Sequence, residues 1–260
     1  MTKIISIANQ KGGVGKTTVV TQLAFDLALK QKAKVLVIDM DAQGNATKVL
    51  MQDADITGQQ AHELFDPEVE IVEPQASHFE GIDILPTEKN SRVSYLCEML
   101  PVDEYVFFPK KKLEKIADRY DFIIIDCPPN MGTKLFSSLA MSTHVLCPVR
   151  LCGFAMDGLV GLLQSIQDVQ NEWNPSLKVV GVLFNGLMKS VPHQKLYNDA
   201  KEALGDVVFK NHIPSRSTID TATTEGCPIW LVQSAYVATK DMRLVNNEIY
   251  ERMGFEAIEK

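Results

Sequence analysis

Lys11-Gly12-Gly13-Val14-Gly15-Lys16-Thr17-Thr18 is the stretch on which the reading of this chain turns. Against the pattern G-x-x-x-x-G-K-[ST], the window from Gln10 to Thr17 departs at its first position, where Gln10 stands for Gly. The Gly12, Gly13 and Gly15 trio does the same work, because residues without Cβ let successive backbone N–H groups turn inward around phosphate oxygens. In such a loop Lys16 reaches the β and γ phosphates and the Thr17 hydroxyl ligates Mg²⁺. Residues 4–8 (IISIA) read as a buried strand before it. After it, Val19, Leu23 and Leu27, with Val20, Ala24 and Ala28 beside them, make one apolar helical face. That helix would aim its N-terminal dipole at the phosphates. A glycine-rich turn that binds nothing has the same composition, but the strand–loop–helix context favours a phosphate-binding loop.

Working outward, residues 34–39 (KVLVID) form a short apolar run ending in an acid, and residues 120–126 (YDFIIID) form another. Apolar runs alternating with helical stretches are expected of a parallel sheet buried on both faces. The expected fold is therefore α/β, a mostly parallel twisted sheet flanked by helices on both faces. Asp126 ends its run as a Mg²⁺-holding carboxylate should, opposite the Thr17 hydroxyl. Residues 81–86 read as a strand closed by Pro86, residues 143–149 as another, and residues 178–184 as a further one ending at Asn185. Helices are expected over residues 158–169 and 244–253, and on both sides of Pro101. Residues 52–81 are acid-rich and read as short helices and loops on the surface. Lys110, Lys111 and Lys112 read as solvated lysines at a helix start, with no Arg or aromatic interleaving to suggest nucleic-acid contact. His144 reads as a strand-edge or core histidine rather than a ligand.

Composition narrows the classes. With 260 residues and 45% hydrophobic content, the chain can bury one large α/β core, and one domain over 1–260 is expected. A net charge of −7 and a pI near 5.3 argue against permanent coating of nucleic acid but leave room for a local basic face. Cys97, Cys127, Cys147, Cys152 and Cys227 contain no C-x-x-C pair, so neither a disulfide framework nor a zinc site is suggested, and reduced thiols in the cytoplasm are expected. No signal peptide and no membrane-length apolar run is read.

Lys11 ahead of the loop, the Asp39-Met40-Asp41-Ala42-Gln43-Gly44-Asn45 segment and the Asp126-Cys127-Pro128-Pro129 turn occur in the order seen in the ParA/MinD family of P-loop ATPases, and the chain resembles that family over nearly its whole length. The resemblance implies ATP and Mg²⁺ as ligands, slow hydrolysis, and a homodimer that sandwiches two ATP molecules. Lys11 then corresponds to the signature lysine that crosses to the partner's nucleotide, where a second cation stabilises charge on the transferring group. The catalytic set implied is Lys11, Lys16 and Asp41, with Asp41 orienting the attacking water and touching the metal through water, and Asp39 in support. Nucleotide contacts extend over Lys11, Gly12, Gly13, Val14, Gly15, Lys16, Thr17 and Thr18, with Asn185 and Pro214 flanking the adenine; the metal ligands are Thr17 and Asp126.

Among family members, a division-site regulator should end in a basic amphipathic helix, which residues 244–260 do not supply. Iron–sulfur relatives need cysteine ligands that are not evident, and the early loop leaves no room for an N-terminal helix-turn-helix. The short ParA type remains. Its implied partners are non-specific DNA and a ParB-type centromere-binding protein, with no membrane partner, and its implied location is cytoplasmic and nucleoid-associated when ATP is bound. Candidate DNA contacts are Lys210, Arg216, Lys240 and Arg243, although Ser215 stands where many segregation ATPases carry Arg. The competing reading is an ATP-switched scaffold that positions a protein cargo with little DNA binding.

Overall fold

A computed structural model describes residues 2–150 and 155–257. Strand β1 (Lys3–Ile7) runs into the glycine loop and helix α1 (Lys16–Phe25), which widens into a π-turn over Asp26–Lys30. Strand β2 (Val35–Asp39) and helix α2 (Asn45–Met51) follow, then β3 (Gln75–Ala76) and β4 (Ile82–Leu85). Three short helices come next: α3 (Arg92–Glu98), α4 (Val102–Tyr105) and α5 (Phe108–Leu113). The chain continues through β5 (Phe122–Asp126), α6 (Thr133–Met141), β6 (His144–Arg150), α7 (Ala155–Glu172) and β7 (Lys178–Leu187). It closes with α8 (Val191–Leu204), β8 (Ile213–Pro214), α9 (Ser217–Glu225) and α10 (Tyr236–Met253).

Among the described residues the strands form one sheet in the order β3-β4-β2-β5-β1-β6-β7-β8, with β3 antiparallel to β4 and every other pairing parallel. The chain leaves β1 to build one flank and returns to build the other, so β1 sits between β5 and β6 at the point where strand order reverses. Open α/β sheets bind ligands at the carboxyl ends of the strands at such a point, and the glycine loop emerges there.

Side-chain alternation fills both faces. On β5, Ile123 and Ile125 pack with helices α3 to α8, while Phe122 and Ile124 pack with α1, α2, α9 and α10. On β2, Leu36 and Ile38 divide from Val35 and Val37 in the same way. The mostly parallel sheet with helices on both faces is thus the fold expected from the apolar runs.

Several local expectations change. Strand β7 extends past Phe184 to Leu187, so Asn185 lies within the strand, because its neighbour β6 continues to Arg150 and pairs with it there. The closing helix begins at Tyr236 rather than 244, and α7 covers Ala155–Glu172 rather than 158–169. Residues 52–81 are not only surface: Ala61, Leu64, Phe65 and Val72 are buried in the core. Lys112 is buried rather than solvated, its ammonium donating to the carbonyls of Glu63 (2.7 Å) and Asp66. His144 is buried at the start of β6, as a core histidine. Cys152 lies outside the described residues.

Candidate functional site

The glycine loop is held from below by Asn9. Its side-chain amide donates to the Pro148 carbonyl at 2.7 Å and its Oδ1 accepts from the Lys11 N–H at 2.8 Å, which ties the loop to the end of β6. Gly15 caps α1 in the left-handed region at φ 89°, and a Cβ there would fall 1.9 Å from Asn185 Nδ2. That amide donates to the Val14 carbonyl at 2.8 Å. Asn185, read from sequence as an adenine contact, is therefore also a buttress of the phosphate loop, and only glycine at position 15 admits it.

Lys16 is buried and its ammonium curls over the loop, donating to the carbonyls of Asn9 and Lys11 at 3.3 and 3.4 Å. Gly12 and Gly13 are exposed at the mouth. Lys11 is half-buried and runs alongside α7, where a Cβ at Gly158 would approach its Cε to 2.9 Å.

Opposite Lys16 stand two buried carboxylates, paired across β2 and β5 as Asp39 and Asp126. Asp39 is fully engaged: Oδ2 accepts from the Thr47 N–H and hydroxyl, both at 2.8 Å, and Oδ1 accepts from the Asp41 N–H at 3.2 Å. It anchors the start of α2. Asp126 is different. Its Oδ2 accepts from the Thr17 hydroxyl at 2.6 Å, while Oδ1 is buried with no hydrogen-bond partner. Burial pushes both carboxyls above the usual range, Asp126 with the Asp39 charge adding to it and with Thr17 and Lys16 opposing it. An orphaned carboxylate oxygen beside a hydroxyl is a donor set that fits Mg²⁺. Asp41 is half-buried at the cavity wall and its Oδ1 accepts from the Gln43 N–H at 3.0 Å.

Gly12, Gly13, Lys16, Thr17 and Asp41 open onto one cavity of about 830 Å³, which runs on to Asn185, Pro214 and Arg216, with Asp126 behind Thr17. A cavity of this size suits a nucleotide-sized ligand. The structure thus brings together the loop, both metal-ligand candidates, Asp41, Asn185 and Pro214. Pro214 forms the two-residue edge strand β8 rather than a turn.

The DNA candidates are less convergent. Lys240 and Arg243 are exposed on one face of α10. Arg216 lines the nucleotide cavity and pairs with Asp241 at 2.8 Å, so its charge is already engaged. Lys210 is exposed near the other end of α10, where Glu248 takes its backbone N–H at 2.8 Å. Sequence reading missed Arg150, which lines the cavity at the end of β6 and packs against Gly186, where a Cβ would lie 3.5 Å from its Nε. The signal was present: a charge terminating a buried apolar run at the ligand end of the sheet.

Comparison with known proteins agrees with this geometry. A family model described as "AAA domain" matches residues 2–179. The sporulation initiation inhibitor protein Soj of Bacillus subtilis is 34% identical over 234 residues, covering 89% of this chain and 91% of that protein. The chromosome-partitioning ATPase Soj of Treponema pallidum is 30% identical over 256 residues, covering 98% and 99%. Among solved structures, a complex of Cyanothece McdA with ATP superposes with a TM-score of 0.85 at 20% identity, covering 100% of this chain and 99% of that one. Cell division ATPase MinD of Pyrococcus furiosus superposes at 0.76 with 22% identity, covering 96% and 99%. With a glycine loop, a buried carboxylate bonded to the Thr17 hydroxyl and these relatives, the chain belongs to the ParA/MinD family of P-loop ATPases.

Proposed function

We propose that the chain is a partition ATPase: one domain that pairs with a second copy around ATP, binds DNA without sequence preference in that state, and lets go when a ParB-type partner stimulates hydrolysis. The observation that carries the ATPase part is the arrangement of Thr17 Oγ1, Asp126 and Lys16 at the mouth of the glycine loop. The partition part is supported by the Soj relatives over most of the chain.

Thr17 and Asp126 would hold Mg²⁺, whose charge offsets that of the phosphates. The chain's own residues do the rest. Backbone N–H groups of the loop cradle the phosphates, and Lys16 leaves its loop carbonyls to place a cation on them. Asp41 accepts a hydrogen bond from the attacking water and so orients it. Lys11 leaves its position along α7 to reach the second copy's nucleotide, adding fixed charge where it develops. Pairing also doubles a basic face that is too sparse to hold DNA alone, and avidity turns a marginal attraction into salt-sensitive binding.

A second reading, an ATP-switched scaffold for a protein cargo, is favoured by the Arg216–Asp241 ion pair, which removes one of the few cations from the α10 surface. Phosphate release and light scattering with ATP and with ADP test the shared part. Expected is a dimer with ATP and a monomer with ADP, the dimer lost in Lys11→Ala. A monomer in both states would refute pairing around ATP.

A further inference from the structure

Helix α3 lies where neither the loop nor the carboxylates require it, yet the two switch segments, residues 39–47 and 126–134, which begin at the buried carboxylates, are both fastened to it and its flanks. On the first side, the Thr87 hydroxyl donates to the Asp39 carbonyl at 2.6 Å and the Thr87 N–H to Thr47 Oγ1 at 2.9 Å. The Asn90 N–H reaches the Ala42 carbonyl at 2.9 Å, and the Gln43 side-chain amide donates to the Tyr95 hydroxyl at 2.7 Å. A Cβ at Gly44 would lie 2.6 Å from the Thr87 carbonyl, so the two backbones touch.

The second side mirrors this. Asn130 Nδ2 donates to Glu98 Oε2 at 2.6 Å, and the Thr133 hydroxyl donates to the Leu100 carbonyl. A Cβ at Gly132 would lie 2.6 Å from the Glu98 carbonyl. Lys134, fully buried on α6, donates its ammonium to Ser94 Oγ at 2.7 Å. A buried ammonium is an expensive way to fill space, since an apolar side chain of similar volume would pack there with less desolvation. What it adds is direction: it fixes α6 to one hydroxyl of α3, and although burial holds the ammonium below its usual pKa, the charges of Glu98, Asp39 and Asp41 oppose that shift.

We infer that residues 86–100 form a brace that makes the two switch segments move as one, and that Tyr95, Ser94 and Lys134 are positioning residues for ATP hydrolysis, acting through Gln43 and Asp41 on one side and through residues 130–134 on the other. The inference rests on the ATPase reading above for its kinetic consequence, but not for its mechanical one. Tyr95 contacts the first segment and Ser94 the second, on adjacent residues of a seven-residue helix. Loosening one end therefore loosens the other.

The test uses Tyr95→Phe, Ser94→Ala and the double variant, with Lys134→Met as a third probe. Tyr95 is partly exposed, so its variant keeps the fold even where Lys134→Met does not. Hydrogen exchange on the nucleotide-free chain is the first readout. Tyr95→Phe is expected to speed exchange at residues 130–136, which Tyr95 does not bond, by about two- to tenfold, the scale of one lost hydrogen bond. Ser94→Ala is expected to do the same at residues 41–45. Changes confined to each variant's own contacts would overturn the brace, whether or not the chain hydrolyses ATP.

Steady-state hydrolysis is the second readout. Each variant is expected to lower kcat by about two- to tenfold with KM and nucleotide affinity unchanged, and the double variant to do no more than the worse single one. Multiplying effects, or a rise in KM with kcat intact, would contradict a shared brace. A wild-type chain without hydrolysis would count against the ATPase reading alone, and the exchange result would still decide the brace.

Discussion

At the phosphate end of the cavity, Thr17 and Asp126 are 109 positions apart in the chain and meet at 2.6 Å; beside α10, Arg216 and Asp241 are 25 positions apart and meet at 2.8 Å. The contacts look alike but leave opposite residues of chemistry behind. Thr17 uses one oxygen of Asp126 and leaves the other buried and unpartnered. Asp241 instead pairs with Arg216, one of the proposed DNA contacts. One region keeps a single buried carboxylate oxygen unsatisfied at a cost in stability. The other satisfies its charges, so on the proposed reading DNA affinity would come from the exposed Lys240 and Arg243 and from a second copy.

The sharpest way to break that contrast is at the loop. Lys16→Ala is expected to lower ATP affinity by about 100-fold or more, read with a fluorescent nucleotide, because the phosphates lose their fixed cation in a site built of backbone N–H groups. Next comes the carboxylate pair. Asp126→Asn should remove the Mg²⁺-dependent part of ATP affinity, about 10- to 100-fold, while the urea midpoint of the nucleotide-free chain holds or rises, since the cost of burying a carboxylate charge beside that of Asp39 is relieved. Asp39→Asn should do the reverse, lowering stability by about 1–3 kcal/mol through the weakened anchor of Thr47 and α2. Equal effects of the two substitutions on stability would erase the distinction drawn between them.

At the other region the effects are smaller. Lys240→Gln with Arg243→Gln should weaken DNA binding by about tenfold at low salt and leave ATP affinity intact, whereas Arg216→Gln, already paired, should change it about twofold. Unchanged DNA affinity in the double variant would refute the placement on α10.

Smallest is a pH effect far from the ligand. Burial, with Lys3 and Lys178 nearby, pushes His144 from 6.5 down to about 4. The folded chain then binds fewer protons than the unfolded one between those values, so this stabilisation is complete above pH 6.5 and is lost as pH falls toward 4. About 1–3 kcal/mol of the acid-side loss of stability is expected to vanish in His144→Gln.

Legibility in the sequence follows the same divide. The loop, the acid-terminated strands and the sheet class were readable because each depends on neighbours in the chain: glycines for close approach, apolar runs for burial on two faces, an acid at a strand tip. Asn185 reads as a base contact and does line the cavity, but its grip on the Val14 carbonyl is hidden, since that depends on β7 running on beside β6. Lys112 reads as a solvated lysine, and nothing local marks Lys134; their burial comes from carbonyls and a hydroxyl supplied by segments 40 or more positions away. The Arg216 ion pair was equally out of reach, because no local pattern ties a residue before α9 to one on α10.

The most direct measurement is fluorescence anisotropy of an arbitrary DNA duplex with the chain in three states, without nucleotide, with ADP–Mg²⁺ and with ATP–Mg²⁺, at two salt concentrations and beside Lys16→Ala. Binding that requires ATP, falls with salt, ignores sequence and disappears in Lys16→Ala is the expected result. Binding that is equal in all three states, or absent while ATP still drives pairing, would contradict a nucleotide-gated DNA carrier and leave the protein-cargo scaffold standing.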